Sequence, residues 1–411
     1  MTVQGPAVRC FMPHAEAQVG FGAPGHVPAK PVLRLARDIE LLLGQLGTSD
    51  DILLTRRLPT PAHLDVLSAA GLTRPYCVAA ELDHHVLPRT HPLRRIDGAW
   101  PQPWAWTPDT CHFFGPLRRG GAVVPRWESR RARIWSKAWA ASLLTDLVRD
   151  GLGQPGGLGV APLDVPVAVS DVADLAVALE RLAAAGLQTA VVKAALASSG
   201  RGALRIACHG HAWTTSESRW LAKTLRAQGS VVVAPWRNRL ADVSVQLDLD
   251  AADPVRGVTG LLCDPLGRYR GNLIHEPPLS APHRACLLAV AAAVARALQD
   301  AGHVGHAGID AMVFCDAAGN RQLQPLLEVN PRTTMGHVAL GLRRQLPPGV
   351  EGELRLFGPR DLAGASATTF LTSLPTSQNV RAIPLSDPAL ASAHLALLFL
   401  GPCADRRAAL G

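Results

Sequence analysis

Glu328 and Asn330 stand two residues apart in "PLLEVNPRTTMG", residues 325–336, and Arg332 stands two further on. Alternate side chains of an extended chain share a face, so Glu328 and Asn330 point one way while Leu327 and Val329 point the other. A carboxylate and an amide oxygen on one face suit a hard divalent cation such as Mg²⁺. Arg332 follows as a fixed cation near the same point. Asp310, in "GHAGIDAMVF", opens a strand just upstream. A hairpin of 309–315 with 323–330, turned at "AAGN", brings Asp310 beside Glu328 and Asn330, and three oxygen ligands converge. Singly, each residue has an ordinary explanation: a turn or cap for Asp310, an edge-strand carboxylate for Glu328, a turn at Asn330-Pro331. Their joint placement on one hairpin points to a metal site.

A second group lies upstream. Lys193 closes the apolar run "TAVVK", where a buried ammonium is costly unless it meets an anion. Five residues later comes "SSGRG", Ser198 to Gly202. Glycines let backbone N–H groups approach phosphate oxygens, and serines add donors. A plain hairpin turn has the same composition, and the lysine precedes the glycines, so this is not a Walker loop.

The elements that must carry these residues are legible as periodicities. Residues 1 to about 30, rich in Gly, Pro and Ala, read as irregular. "VLRLARDIELLLGQLG" has helical spacing, "DDILLTRR" is a short strand, and "PAHLDVLSAAGL" is a second helix, together a small parallel α/β unit. From Leu87 to Pro125, including "AWPQPWAWTPDT", the chain reads as loop and interdomain surface. A helix starts near Ser136 and ends at Gly151. Ser170 caps a helix that stops at Gly186. "TAVVKAALASSGRGALRIA" is strand, loop and strand. Thr214 and Glu217 form a capping box for the next helix. "SVVVAPW", "DVSVQLDL" and "GVTGLLCDPLGRYRGNLI" continue as strands. An alanine-rich helix over about 283–300 leads into the hairpin. The last 65 or so residues read as mixed α/β without a chemical motif.

Composition narrows the function classes. The chain has 411 residues, 48% hydrophobic and 18% charged, so a large core is expected and disorder is not. Its formal net charge is +8, but arginine is spread in short clusters, the densest at Arg118-Arg119 and in "SRRAR" at 129–133. Aromatics make up only 5%, which gives little support for a base-stacking surface, so a nucleic-acid partner is not expected. The Arg-rich stretch 118–133 and "GRYRG" at 267–271 are either solvated surface or holders of a substrate carboxylate. Eight scattered cysteines without a Cys-x-x-Cys pair fit the free thiols of a reducing compartment. The pairs His84-His85, His209/His211 and His303/His306 lack finger-like spacing, so zinc is not expected. The N-terminus lacks a basic start followed by an apolar run, and "CLLAVAAAVA" at 286–295 is too short to span a bilayer, so a cytoplasmic location without a membrane partner is expected.

The combination resembles the ATP-grasp superfamily. The resemblance rests on "SK" at 136–137, "VVKAALASSGRG" at 191–202, "VVVAPW" at 231–236, "DVSVQ" at 242–246, "GID" at 308–310 and "LLEVNPR" at 326–332, and covers roughly residues 130 to 340. It implies an ATP-grasp fold of α/β and α+β class, preceded by a small Rossmann-like pre-ATP-grasp domain. The division implied is 1–125, then 126–345 with a lid subdomain at about 165–235, then a C-terminal α/β extension at 346–411. It also implies that Lys137 and Lys193 hold ATP phosphates and that Ser198, Ser199, Gly200 and Gly202 form a lid over them. The backbone at Ala234 and Trp236 would meet adenine, although the acidic residue often found at that hinge is missing, and Asp242 would accept from ribose. Asp310, Glu328 and Asn330 would hold Mg²⁺ or Mn²⁺. Arg332, Lys193 and Asn330 would be catalytic, and His337 is the weak candidate for a base. The activity implied is ADP-forming ligation of a carboxylate to an amine through an acyl phosphate. The partners implied are small acids and amines such as amino acids or peptides, and a homodimer is compatible. A kinase-like phosphotransferase and a non-catalytic nucleotide-binding regulator are the alternatives.

Overall fold

The structure is a computed structural model that describes residues 6–10, 29–82, 86–151, 159–197, 202–265, 267–375 and 377–410. Three sheets organise the described residues. The first holds β1 Ala7–Cys10, β2 Ile52–Thr55, β3 Tyr76–Ala79 and β4 Trp100–Pro103, in the order β3-β2-β1-β4 with every pairing parallel. The second holds β5 Val167–Val169, β6 Thr189–Ala194, β7 Ala203–Ala207 and β8 Val231–Pro235, antiparallel in the order β5-β8-β6-β7. The third has eight strands: β9 Asn238–Asp248, β10 Val255–Cys263, β11 Tyr269–Leu273, β12 His306–Cys315, β13 Arg321–Asn330, β14 Gly352–Phe357, β15 Arg381–Pro384 and β16 Leu395–Leu400. Their order is β13-β12-β9-β10-β11-β14-β16-β15. The segment after 346 thus supplies three strands of this same sheet.

Two strands lie where irregular chain is expected. β1 sits inside the Gly/Pro-rich N-terminal stretch, buried in all four positions at the centre of the first sheet. β4 falls in the Trp/Pro-rich stretch and carries prolines at 101 and 103. Proline cannot donate to a ladder and is confined to edges. The flanking donors face β1, since Trp100 N–H donates to Pro6 O at 3.2 Å and Trp104 N–H to Cys10 O at 2.9 Å. Both prolines, of the opposite parity, therefore turn their missing donors to the open edge. A helix Pro108–Phe113, capped by Thr107, follows in the same stretch.

Other boundaries shift for local reasons. The first helix runs Lys30–Asp38 and gives way to a 3-10 turn Glu40–Leu46, buried at six of its seven residues, which no single helical face could achieve. Asp171, not Ser170, caps the helix Val172–Ala184, its Oδ1 accepting from Asp174 N–H at 2.8 Å. The Thr214–Glu217 capping box forms as expected. The alanine-rich helix is Ala281–Asp300, 20 residues. It is the one helix among the described residues long and apolar enough to cross a membrane by length and composition. Its Leu287, Val290, Ala291, Val294 and Leu298 are fully buried in the main core with Val245, Leu247, Ile309 and Ala311 of the large sheet, so here it is a core helix. None of the eight cysteines, all among the described residues, is in a disulfide.

That core also takes in Leu41–Leu43, Leu53 and Trp104, which tie the first sheet to the large one, while the second sheet has a core of its own. Asp38 adds a polar tie. Its buried carboxylate accepts from the backbone N–H groups of Ser392, Ala393 and His394 at 2.8–2.9 Å. Burial pushes this carboxyl up, but the bonds from His394, Ser392 and Ala393 outweigh it and hold it below the ordinary carboxylate range. Asp38→Ala leaves three donors unmet and is expected to cost about 3 kcal/mol in urea unfolding. Because the folded value lies below the unfolded one, the wild-type advantage is complete above about pH 4 and is lost as pH falls through the folded value. The gap between wild type and variant should therefore close in acid.

Candidate active site

The β12–β13 hairpin forms in the expected register, with Asp310 opposite Glu328 and Gly308 opposite Asn330. Asp310 is also opposite Ser244 on β9, and Met312 opposite Asp242, so Asp242, Ser244, Asp310 and Glu328 share one face of the large sheet. Between Asp310 and Met312 the hairpin register shifts, and Pro325 of β13 falls in that interval. β13 is an edge strand, so a bulge there tolerates the missing donor.

Asn330 joins the acid to the cation. Its Nδ2 donates to Asp310 Oδ2 at 3.0 Å, and its Oδ1 accepts from Arg332 Nη2 at 2.9 Å. Arginine can only donate, so the group facing Arg332 must be the amide oxygen and the orientation is fixed. The amide oxygen therefore faces the guanidinium. Arg332 Nη1 donates to Thr333 O at 3.1 Å, and the guanidinium lies over Trp104, 5.9 Å from the ring centroid. Trp104 O in turn accepts from Thr333 N–H at 2.8 Å. Arg332 Nε is buried without a hydrogen-bond partner.

Lys137 arrives from the other side. Ser136 caps the helix Lys137–Arg149, its Oγ accepting from Ala138 N–H at 3.1 Å, and Lys137 is the first helical residue. Lys137 N–H donates to Ala195 O at 2.9 Å, which fixes the helix start against the chain leaving β6. Its Nζ reaches Glu328 Oε2 at 2.8 Å. Gln228 holds the same chain from beyond, accepting from Leu196 N–H at 2.7 Å and donating to Leu196 O at 3.1 Å. Lys193, on β6, shares the charge field of Glu328, Lys137, Arg239 and Asp242. Burial pushes its ammonium below the ordinary lysine range, Lys137 and Arg239 add repulsion, and Glu328 and Asp242 oppose them.

The two facing carboxyls titrate apart. Burial, then the charge of Glu328, pushes Asp310 up to about 7. Burial acts on Glu328 too, but Lys137, Lys193 and Arg332 outweigh it and hold it down at about 2. A divalent cation would remove the repulsion on Asp310. The donors are all oxygen, which suits Mg²⁺ or Mn²⁺. Among the described residues no group of three or more His, Cys, Asp or Glu could hold a metal, so the protein's share of a site here is Asp310 and Glu328; Asn330, expected as a third ligand, instead turns its amide oxygen to Arg332 and its NH2 to Asp310. Mg²⁺ keeps several positions for water and phosphate, and the sparse set fits it.

The remaining expected residues are placed less simply. Ser198, Ser199 and Gly200 lie outside the described residues. Gly202 has φ +69°, a conformation that favours glycine, and its carbonyl accepts from Ala194 N–H at 2.8 Å. Ala234 pairs with Val191 inside the second sheet, and Trp236 N–H donates to Thr189 O at 2.9 Å, so that donor is engaged in the sheet. Asp242 accepts from Arg239 Nη1 at 2.9 Å and stands on the acidic face near Lys193. His337 is excluded as a base. Its Nδ1 accepts from Thr334 N–H at 3.1 Å, its Nε2 bonds Leu247 O at 3.0 Å, and burial holds it neutral. Arg118 spends its fork on Val124 O and Pro125 O, and Arg270 pairs with Asp361, so these two arginines are already engaged. Sequence reasoning missed Trp104, Arg239 and Ser244, which seat Arg332, Asp242 and Asp310. Only Ser244 had a signal, as the next same-face residue after Asp242.

No family model and no curated protein matches the chain. Solved structures do. Biotin carboxylase from Campylobacter jejuni, in complex with β,γ-ATP, matches with TM-score 0.50 and 14% identity over 90% of this chain and 88% of that one. N5-carboxyaminoimidazole synthetase from Staphylococcus aureus, complexed with ADP, matches with TM-score 0.45 and 9% identity over 96% and 93%. D-cycloserine synthetase matches with TM-score 0.38 and 17% identity over 70% and 94%. At these identities the biotin carboxylase likeness speaks for the fold, and the fold alone.

Proposed function

The chain has the ATP-grasp fold, and on that basis we propose that it is an ADP-forming ligase that activates a carboxylate with ATP for attack by an amine. The observation that carries the proposal is the joint arrangement of Asp310, Glu328, Asn330 and Arg332 on one hairpin, with Lys137 on Glu328 and Lys193 in the same charge field. Asp310 and Glu328 would hold Mg²⁺, which supplies charge neutralisation at phosphate oxygens. Lys137, Lys193 and Arg332 would bind the phosphates of ATP and the carboxylate that attacks the terminal phosphorus. Phosphoryl transfer needs positioning and fixed charge rather than a covalent group from the protein, and this cleft offers those. The amine then displaces phosphate from the acyl phosphate. The biotin carboxylase structure whose fold this chain resembles is a complex with β,γ-ATP, which supports the nucleotide assignment.

Adenine would lie along the end of β8. With Trp236 N–H engaged and Pro235 without a donor, the base would use Pro235 O and Arg237 N–H. The proposal retains an N-terminal domain to about residue 125 and a lid at about 165–235, small acids and amines as partners, and a cytoplasmic location. A kinase-like enzyme would make a phosphorylated product without free phosphate, and a regulator would bind nucleotide without turnover. The test is an assay for ADP and phosphate over pooled acids and amines. A ligase releases both only when acid and amine are present together. ADP without phosphate, or no ADP with any pool, would contradict the proposal.

A further inference from the structure

The first sheet carries a second site of its own. A cavity of about 900 Å³ opens at the C-terminal ends of β2 and β3, lined by Arg34, Arg37, Arg56 and Arg57 together with Ala79–Leu82 and Ser392. Its size is that of a small-molecule site. In open parallel sheets this edge is where ligands bind. Four arginines face the space and one acid, Glu81, shares its lining.

The arginines are placed by structure rather than left loose on a surface. Arg34 and Arg37 are three apart on the helix Lys30–Asp38 and so share a face. Asp38 pins that helix to residues 392–394. Arg56 leaves the end of β2 with its Nη1 3.2 Å from Glu40 Oε2, and its N–H donates to Glu40 Oε1 at 3.0 Å. Arg57 Nη2 donates to Leu390 O at 2.6 Å. Ala79 and Ala80, with side chains of one carbon, leave the floor open. Guanidinium forks match the oxygens of phosphate and carboxylate, and holding them in advance lowers the entropic cost of binding.

The cavity also lies on the same edge as the catalytic cleft. Cys10 is level with Leu54 on one side and Pro103 on the other. At about 4.8 Å per strand, the ends of β2 and β4 are about 10 Å apart. Trp104, which seats Arg332, directly follows β4, and Arg56 directly follows β2.

We propose that this cavity binds a small molecule bearing a phosphate or several carboxylates. The site is distinct from the Mg·ATP cleft and does not depend on the ligase reading. The test titrates inorganic phosphate, pyrophosphate and citrate into the nucleotide-free protein by calorimetry. The variants are Arg34→Gln/Arg37→Gln and Lys193→Met. Arg34 and Arg37 are exposed helix residues, so the double variant should fold, which its melting temperature checks. Binding should weaken at least tenfold in the arginine variant and persist with Lys193→Met. Preference for pyrophosphate or for citrate then identifies the ligand as a phosphate or a polycarboxylate. The proposal is overturned if none of the three anions binds the wild type. It is also overturned if binding survives in the arginine variant or is lost with Lys193→Met. If the double variant melts early, Arg34→Glu alone must still weaken binding.

Discussion

Glu328→Gln is expected to lower turnover by about a thousandfold and to remove most of the Mg²⁺ dependence of ATP binding. The change is nearly isosteric, so packing around β13 should hold. What disappears is a carboxylate kept ionised far below neutrality, at about 2, by Lys137, Lys193 and Arg332. Three positive side chains are then left facing a neutral amide. Lys137 loses its 2.8 Å partner, and Asp310 loses the neighbour whose charge raises it. The cation would be held by Asp310 alone on the protein's side, too little to orient a terminal phosphate for in-line attack. Nucleotide could still bind through the lysines, because more positive charge remains in the cleft. The variant should therefore show ATP binding that no longer responds to Mg²⁺, with catalysis near background. Steady-state ADP release and calorimetry at several Mg²⁺ concentrations check both halves.

Arg332→Met is expected to cut kcat by about two to three orders of magnitude with a smaller change in ATP affinity. Arg332 is held at four points: Asn330 Oδ1, Thr333 O, the Trp104 ring and its own backbone, whose N–H donates to Asn330 O at 2.7 Å. A cation fixed this firmly stabilises developing charge without reorganising when the reaction occurs. Arg332→Lys should not restore activity, since an ammonium cannot bridge Asn330 and Thr333 while stacking on Trp104. If Arg332 merely braced the hairpin, both variants would lower the melting temperature and kcat together. A kcat loss at unchanged melting temperature separates the two.

The β12–β13 hairpin was legible because its information is local. Asp310 and Glu328 are brought face to face by one turn at 317–320, and alternation alone assigns their face. The helix at Lys137 and the strand at Lys193 were legible for the same reason, through a cap and an apolar run. What sequence could not show is contact between distant segments. Trp104 seats Arg332 across more than two hundred residues. Asp38 binds a turn 354 residues away, and nothing in "RLARDIE" signals it. β1 and β4 were hidden by four-residue length and by proline, and became strands only because β1 has neighbours on both sides. The arginine cavity is assembled from positions 34 to 57, 79 to 82 and 392, which no window of sequence brings together.

The measurement that bears most directly on the account is calorimetric titration of ATP into the wild-type protein with and without Mg²⁺. The account predicts one nucleotide site whose affinity rises at least tenfold when Mg²⁺ is present. Absence of binding in both conditions, or equal affinity in both, would mean that Asp310 and Glu328 do not form a metal-nucleotide site, and the ligase proposal would fall with them.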